Sequence, residues 1–291
     1  MDLFKKVTDY KSDFTTYARS FEGYKWYKSI LVVVLTLIIS TILQFVMLVL
    51  LSGSTGTDLL NILVGLNVGY NGLNTYSLRG LIMLAGTALL FPAFFIAAKI
   101  VKERPISSYF YSRAKWNWKL FIYPFILTVA ILIIPSIYLI YAHGLTFNNH
   151  FTVLTLILTL ILTPLQTWGE EVIFRGALMQ TIGSWFKIPA LAIILSALIF
   201  LLVHPYNLIG QIDILFYGIY YGIVSWKTKG LEASMAMHAA NNMFLFVLLG
   251  VDLYFFGKDT SMEIFLLNAI FTGIITIIVL TLNNKYNWSE E

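Results

Sequence analysis

The sequence predicts an all-α, polytopic membrane protein of about eight transmembrane helices around a polar intramembrane cavity. Three observations lead there. Of 291 residues, 58% are hydrophobic and 12% charged, with a mean hydropathy of +0.79, more than a soluble domain hides in its core. The apolar residues fall into runs long enough to cross a hydrocarbon layer of ~30 Å. Apart from Lys99 and Lys119 at the ends of two runs, the charged residues and histidines inside those runs are confined to the second half of the chain.

The runs are 29–51, 80–101, 119–142, 151–180, 188–204, 208–226, 230–250 and 263–282. The mixed, charged stretch before the first run is too long for the n-region of a signal peptide, and no small-residue cleavage site follows, so that run is expected to be retained as a span. With no cysteine, disulfides and thiolate metal sites are excluded. No repeat or Pro-rich linker divides the chain. The expected organisation is an interfacial segment over 1–28, one transmembrane domain over 29–282 with its chemistry at about 165–245, and a tail over 283–291. Tyr24, Trp26 and Tyr27 beside lysines, and "SYFYSRAKWNWK" at 108–119, read as aromatic anchors on the membrane surface.

Lys5, Lys6, Lys11, Arg19, Lys25 and Lys28 precede the first run, and Lys99, Lys102, Arg104, Arg113, Lys115 and Lys119 lie where the second and third face each other. Lys187, Lys227, Lys229 and Lys285 fall on the same side, whereas the opposite connections, 52–79, 143–150, 205–207 and 251–262, hold only Arg79 and Lys258. This asymmetry predicts that both termini are cytoplasmic. The net charge of +4 reads as topology and contact with the lipid bilayer, and no basic and aromatic pattern suggests nucleic acid.

A charge at membrane depth costs several kcal/mol and is a functional candidate by default. Glu170, Glu171 and Arg175 lie in the fourth run, His204 ends the fifth, and His238, Asn241 and Asn242 lie in the seventh. Each has an ordinary alternative. Glu171 and Arg175, four apart, can neutralise one another; His204 precedes Pro205 and could be interfacial; His238 and Asn242 could be an interhelical hydrogen-bonding pair. Asp213 is expected at the interface, and Gly218 with Gly222 is expected to serve close helix packing. Counted from the basic turns at ~1.5 Å per residue, Glu170 and Asn242 lie roughly 18 Å deep, His204 about 24 Å and His238 about 12 Å. Overlapping depths allow convergence. Glu170, turned ~100° from Glu171, is left without that arginine and can take a proton from water and return it. His204 could share the water, and His238 with Asn242 could stabilise an oxyanion. Alternatively, Glu170, His204 and His238 could hold zinc. Either arrangement could hydrolyse an amide.

At these residues the chain resembles the CAAX protease and bacteriocin-processing (CPBP, or Abi) family of intramembrane proteases. The motifs are "EEVIFR" (Glu170 to Arg175), "FLLVH" (Phe200 to His204) and "HAANN" (His238 to Asn242), on successive helices. The resemblance implies an all-helical core with a cavity open toward the cytoplasm that cleaves peptides or membrane-anchored proteins. It implies Glu170 as base, His204 as its partner, and His238 with Asn242 as oxyanion stabilisers. Glu171 and Arg175 would shape the site, with Phe200 and Asn241 lining it. No cofactor is required by it, a divalent metal such as zinc remains open, and the HExxH motif is absent. CAAX-type processing, and bacteriocin or pheromone processing and immunity in a bacterial cell membrane, are the functions expected. A non-catalytic scaffold of the same family and a transporter are the alternatives; broken, repeated halves that would favour the transporter are not evident.

Overall fold

The computed structural model describes residues 2–55, 74–204, 206–254 and 260–290, and among them it is all-helical, with one isolated antiparallel bridge between Tyr111 and Gly230. The outer connection over 56–73, Pro205 and Lys258 lie outside the described residues. The long helices are α1 (Lys28–Thr55), α2 (Leu78–Ala88), α3 (Leu90–Val101), a short α4 (Ser107–Phe110), α5 (Lys119–His143) and α6 (Val153–Glu171). A π-helical segment (Val172–Met179) joins α6 to α7 (Gln180–Phe186). There follow α8 (Pro189–Leu202), α9 (Leu208–Lys227), α10 (Glu232–Leu249) and α11 (Met262–Tyr286).

Each apolar run is helical, but the spans differ in kind. Among the described residues six helical stretches are long and apolar enough to cross a membrane: α1, α2 with α3, α5, α6 through α7, α9 and α11. The expected count of eight is thereby refined. α8 has 14 residues, and α10 is shielded from lipid by its neighbours. Eight consecutive residues of α10, Ala233 to Ala240, are buried against α5, α6 and α9, so this helix carries polar side chains without exposing them to hydrocarbon. By contrast, α1 shows Leu37, Ile38, Ile42, Phe45 and Val46 outward, while its inward Thr36 donates to the carbonyl of Val32 at 2.7 Å.

Two close approaches bring the core helices together. The second span breaks at Leu89, because Pro92 cannot donate a backbone hydrogen bond into the preceding turn. Gly169 of α6 fits against that break: a Cβ there would stand 2.9 Å from both Leu90 Cβ and Phe91 N. At the α8–α9 contact, a Cβ on Gly218 would meet Ala197 Cβ at 2.7 Å and one on Gly222 would meet Ile193 Cγ2 at 2.9 Å, as the small-residue spacing suggests.

The N-terminal segment is more than a surface anchor. Phe14 and Ala18 are fully buried, Trp226 Nε1 donates to Asp13 Oδ2 at 2.7 Å, and Arg19 Nε donates to the Ser184 carbonyl at 2.7 Å. The segment plugs the basic end of the bundle, because its polar groups meet helix termini whose carbonyls need donors. Trp26 and Tyr27 stay exposed, as anchors would. Likewise, 108–119 is pinned inward: Arg113 Nη2 and Asn117 N both donate to Glu232 Oε1, at 2.5 and 3.0 Å. Under it, Tyr109 donates to Glu103 Oε2 at 2.8 Å, and burial pushes the Tyr109 hydroxyl up to about 12, so it stays a donor.

Candidate active site

The α6 helix ends at Glu171 and the chain continues as a π-helix, in which backbone bonds reach five residues along and the turn is wider. Such segments concentrate at functional sites, and this one separates the two glutamates from the arginine that serves one of them. Arg175 Nη1 donates to Glu171 Oε1 at 2.8 Å, and both side chains are buried. The guanidinium also lies 4.6 Å from the Phe200 ring centre and 5.7 Å from that of Tyr221. Neutralisation of Glu171 by Arg175 is therefore the arrangement in this fold.

His238 of α10 joins the two glutamates. Its Nδ1 is 2.9 Å from Glu171 Oε1, and its Nε2 is 3.6 Å from Glu170 Oε2. An ionised carboxylate only accepts, so the imidazole donates from Nδ1 and turns Nε2 toward Glu170. Glu170 is held in turn by Gln166, whose Nε2 donates to Glu170 Oε1 at 2.5 Å, leaving Oε2 toward His238. Asn242 Nδ2 donates to Gln166 Oε1 at 3.4 Å, Asn241 Nδ2 to Asn242 Oδ1 at 3.1 Å, and Tyr217 to Asn241 Oδ1 at 3.3 Å. A chain of polar contacts thus runs from α6 across α10 to α9.

The convergence is strongest among Glu170, Glu171, Arg175, His238, Asn241 and Asn242. His204 is set apart. Its Nδ1 is bonded to the Phe200 carbonyl at 2.8 Å, and Phe200 lies between the two imidazoles, 4.5 Å from His204 and 6.3 Å from His238 by ring centres. Its other nitrogen is left as an acceptor when the ring is neutral, and His204 lines the same cavity as Glu170. The zinc set of Glu170, His204 and His238 does not assemble: among the described residues no three His, Asp or Glu side chains are placed to hold a metal ion.

The cavity has a volume of about 990 Å³. Its floor is formed by Glu170, Phe174, Tyr221 and His238, and it rises past Asn241, Tyr217 and Asp213 to Asn74, Ser77, Tyr254 and Thr260. Among the described residues none of its lining comes from the basic connections at 102–118, 187–188 or 228–231. This corrects the expectation of a cavity open toward a cytoplasmic, basic end: the space extends to the opposite end, because the N-terminal segment fills the basic one. Asp213, expected at the interface, is 7% exposed and lines the cavity.

Sequence reasoning missed Gln166, Tyr217 and Tyr221. Gln166 precedes Glu170 by four residues, a spacing that puts both on one helix face and could have marked it. The tyrosines carried no signal apart from sharing a face of α9 with Asp213.

Residues 149–244 match a family model described as type II CAAX prenyl endopeptidase Rce1-like. The motif-bearing segment is thus similar to the Rce1-like family. The matched segment begins just before α6 and takes in all three motifs, from Glu170 to Asn242. An uncharacterised protein of Bacillus subtilis (strain 168), YyaK, is 30% identical over 166 residues, covering 53% of this chain and 56% of YyaK. The aligned region thus spans little more than half of that relative. No solved structure matches. The first two spans, which wall the cavity opposite the Rce1-like segment, lie outside the family match.

Proposed function

We propose that this chain is an intramembrane endopeptidase that hydrolyses peptide bonds of membrane-associated peptides or proteins, as CAAX-type proteases do. The observation that carries the reading is the imidazole of His238 between two glutamates, one fixed by Arg175 and the other facing the cavity. The match of the same segment to the Rce1-like family supports it.

In this reading a water between Glu170 Oε2 and the substrate carbonyl loses a proton to Glu170 as its oxygen attacks the carbon. The carbonyl oxygen becomes negative and accepts hydrogen bonds from protonated His238 Nε2 and from Asn242 Nδ2, whose present bond to Gln166 is long enough to exchange. Glu171 supports the imidazolium through Nδ1. Glu170 then delivers its proton to the leaving amine as the carbon–nitrogen bond breaks. Gln166 keeps the Glu170 carboxylate in register, and His204 binds substrate or water from the facing wall.

The substrate class follows from the setting: a predominantly apolar cavity within a bilayer suits an extended hydrophobic peptide. The cell membrane of a bacterium, with the basic end cytoplasmic, is the location that fits the charge asymmetry, and peptide processing or bacteriocin immunity the setting that fits the family. The test is proteolysis of membrane-tethered and free peptides by purified protein in lipid nanodiscs. Cleavage by the parent chain that Glu170→Gln abolishes supports the reading; equal cleavage by a folded Glu170→Gln chain sinks it.

A further inference from the structure

Asp213 is the only carboxylate lining the cavity, among the described residues, apart from Glu170. It is more than nine-tenths buried, and its Oδ2 accepts from Asn268 Nδ2 at 2.7 Å. Its Oδ1 has no hydrogen-bond partner. A buried carboxylate with one neutral amide for company is costly and is stabilised by any cation that reaches it. Tyr217 and Tyr254 line the same cavity, and aromatic rings are favourable neighbours for an ammonium or guanidinium group. Among the described residues, Arg79 of α2 is the one lysine or arginine that lines the cavity.

Position along α9 gives this carboxylate a relation to the chemistry. Asp213, Tyr217 and Tyr221 succeed one another at intervals of four on one helical face, and the Tyr221 ring lies 5.2 Å from that of His238. Eight residues of helix rise ~12 Å. An extended peptide covers about 3.3 Å per residue, so roughly three to four residues bridge the two levels.

We propose that Asp213 forms a subsite for a cationic group of the substrate, a lysine or arginine side chain or a free peptide amine, about three to four residues from the bond that Glu170 faces. It is a specificity element that rests on the proteolytic reading for the identity of the ligand. Selection works by contrast: a neutral side chain leaves Asp213 half-partnered, whereas a cation forms a charge-assisted hydrogen bond in a site shielded from water.

The test separates binding from cleavage. The full chain carrying Glu170→Gln, in nanodiscs, is titrated with labelled apolar peptides bearing one lysine at successive positions, beside matched norleucine peptides. We expect about tenfold tighter binding of the lysine peptide at one position, and loss of that difference in a chain that also carries Asp213→Asn. Equal affinities, or no binding, for both peptides at every position overturn the subsite, as does a preference that survives Asp213→Asn. The lysine–norleucine comparison needs no change at 213, so it decides even where Asp213→Asn does not fold. A lysine preference in a protein whose parent chain cleaves none of the peptides keeps the subsite and removes the proteolytic reading.

Discussion

His238 Nδ1 lies 2.9 Å from Glu171 Oε1. One oxygen of Glu171 thereby serves two cations or donors, since Arg175 Nη1 reaches the same atom at 2.8 Å, while Oε2 has no hydrogen-bond partner. Glu171 is the hinge of the site's electrostatics. Adjacent glutamates in one motif are predicted to fail in different ways.

Replacing Glu171 by Gln leaves the Arg175 charge buried without its partner, a loss of about 3–5 kcal/mol for a broken buried pair. The expected outcome is a markedly lower melting temperature for Glu171→Gln and a nearly unchanged one for Glu170→Gln, both measured in the same detergent. Equal melting temperatures for the two variants would show that the Arg175 contact is not structural.

Gln166 is expected to position Glu170 and to leave substrate binding alone. Gln166→Leu removes a hydrogen bond to a charged group, roughly 1.5–3 kcal/mol, so kcat should drop by about ten- to a hundredfold with KM little changed. A rise in KM with kcat intact would place Gln166 in binding instead.

Direction of access can be read with single cysteines, as the chain has none of its own. Cysteines at Ser77 and Thr260, which line the cavity, should react with a membrane-impermeant maleimide from the side opposite to one placed at Lys187. Labelling of all three from the same side would contradict a cavity that runs away from the basic end.

The far end of the bundle is closed in part by a loop held to α10. Asn148 N and His150 N donate to the carbonyls of Val251 and Gly250 at 3.0 and 2.9 Å, and His150 Nε2 bonds Asp252 Oδ2 at 2.8 Å. The His150 hydrogen bond, with that of Asn148, holds the Asp252 carboxyl below the usual carboxylate range. A depressed folded value means that the contribution is full above the ordinary carboxylate range and fades as pH falls through the lowered value. Backbone amides at 148 and 150 should therefore lose protection, relative to their intrinsic exchange at the same pH, below pH ~4, and Asp252→Asn should lower their protection at neutral pH. Protection that ignores both changes would show that the backbone bonds alone hold the loop.

Helix count and site chemistry were legible to different degrees. Runs of apolar residues locate every long helix, because a segment in lipid must satisfy its backbone internally. The break at Leu89 and the π-helical turn after Glu171 left weaker traces, since both depend on what packs beside them. Glu170, Glu171, Arg175, His238 and Asn242 were visible as polar residues at membrane depth, and the four-residue spacing of Glu171 and Arg175 foretold their pairing.

By itself the sequence determined that this is a helical membrane protein, which end is basic, and which polar residues must be buried, since charge is so costly in hydrocarbon that its positions stand out. Only the tertiary structure decided the partners. That His238 spans both glutamates while His204 stands across Phe200, that Gln166 holds Glu170, and that Asp213 faces a cavity leading away from the basic end all depend on helix rotation and approach. Those are set by packing at Gly169, Gly218 and Gly222 and by the N-terminal plug, between residues far apart in the chain.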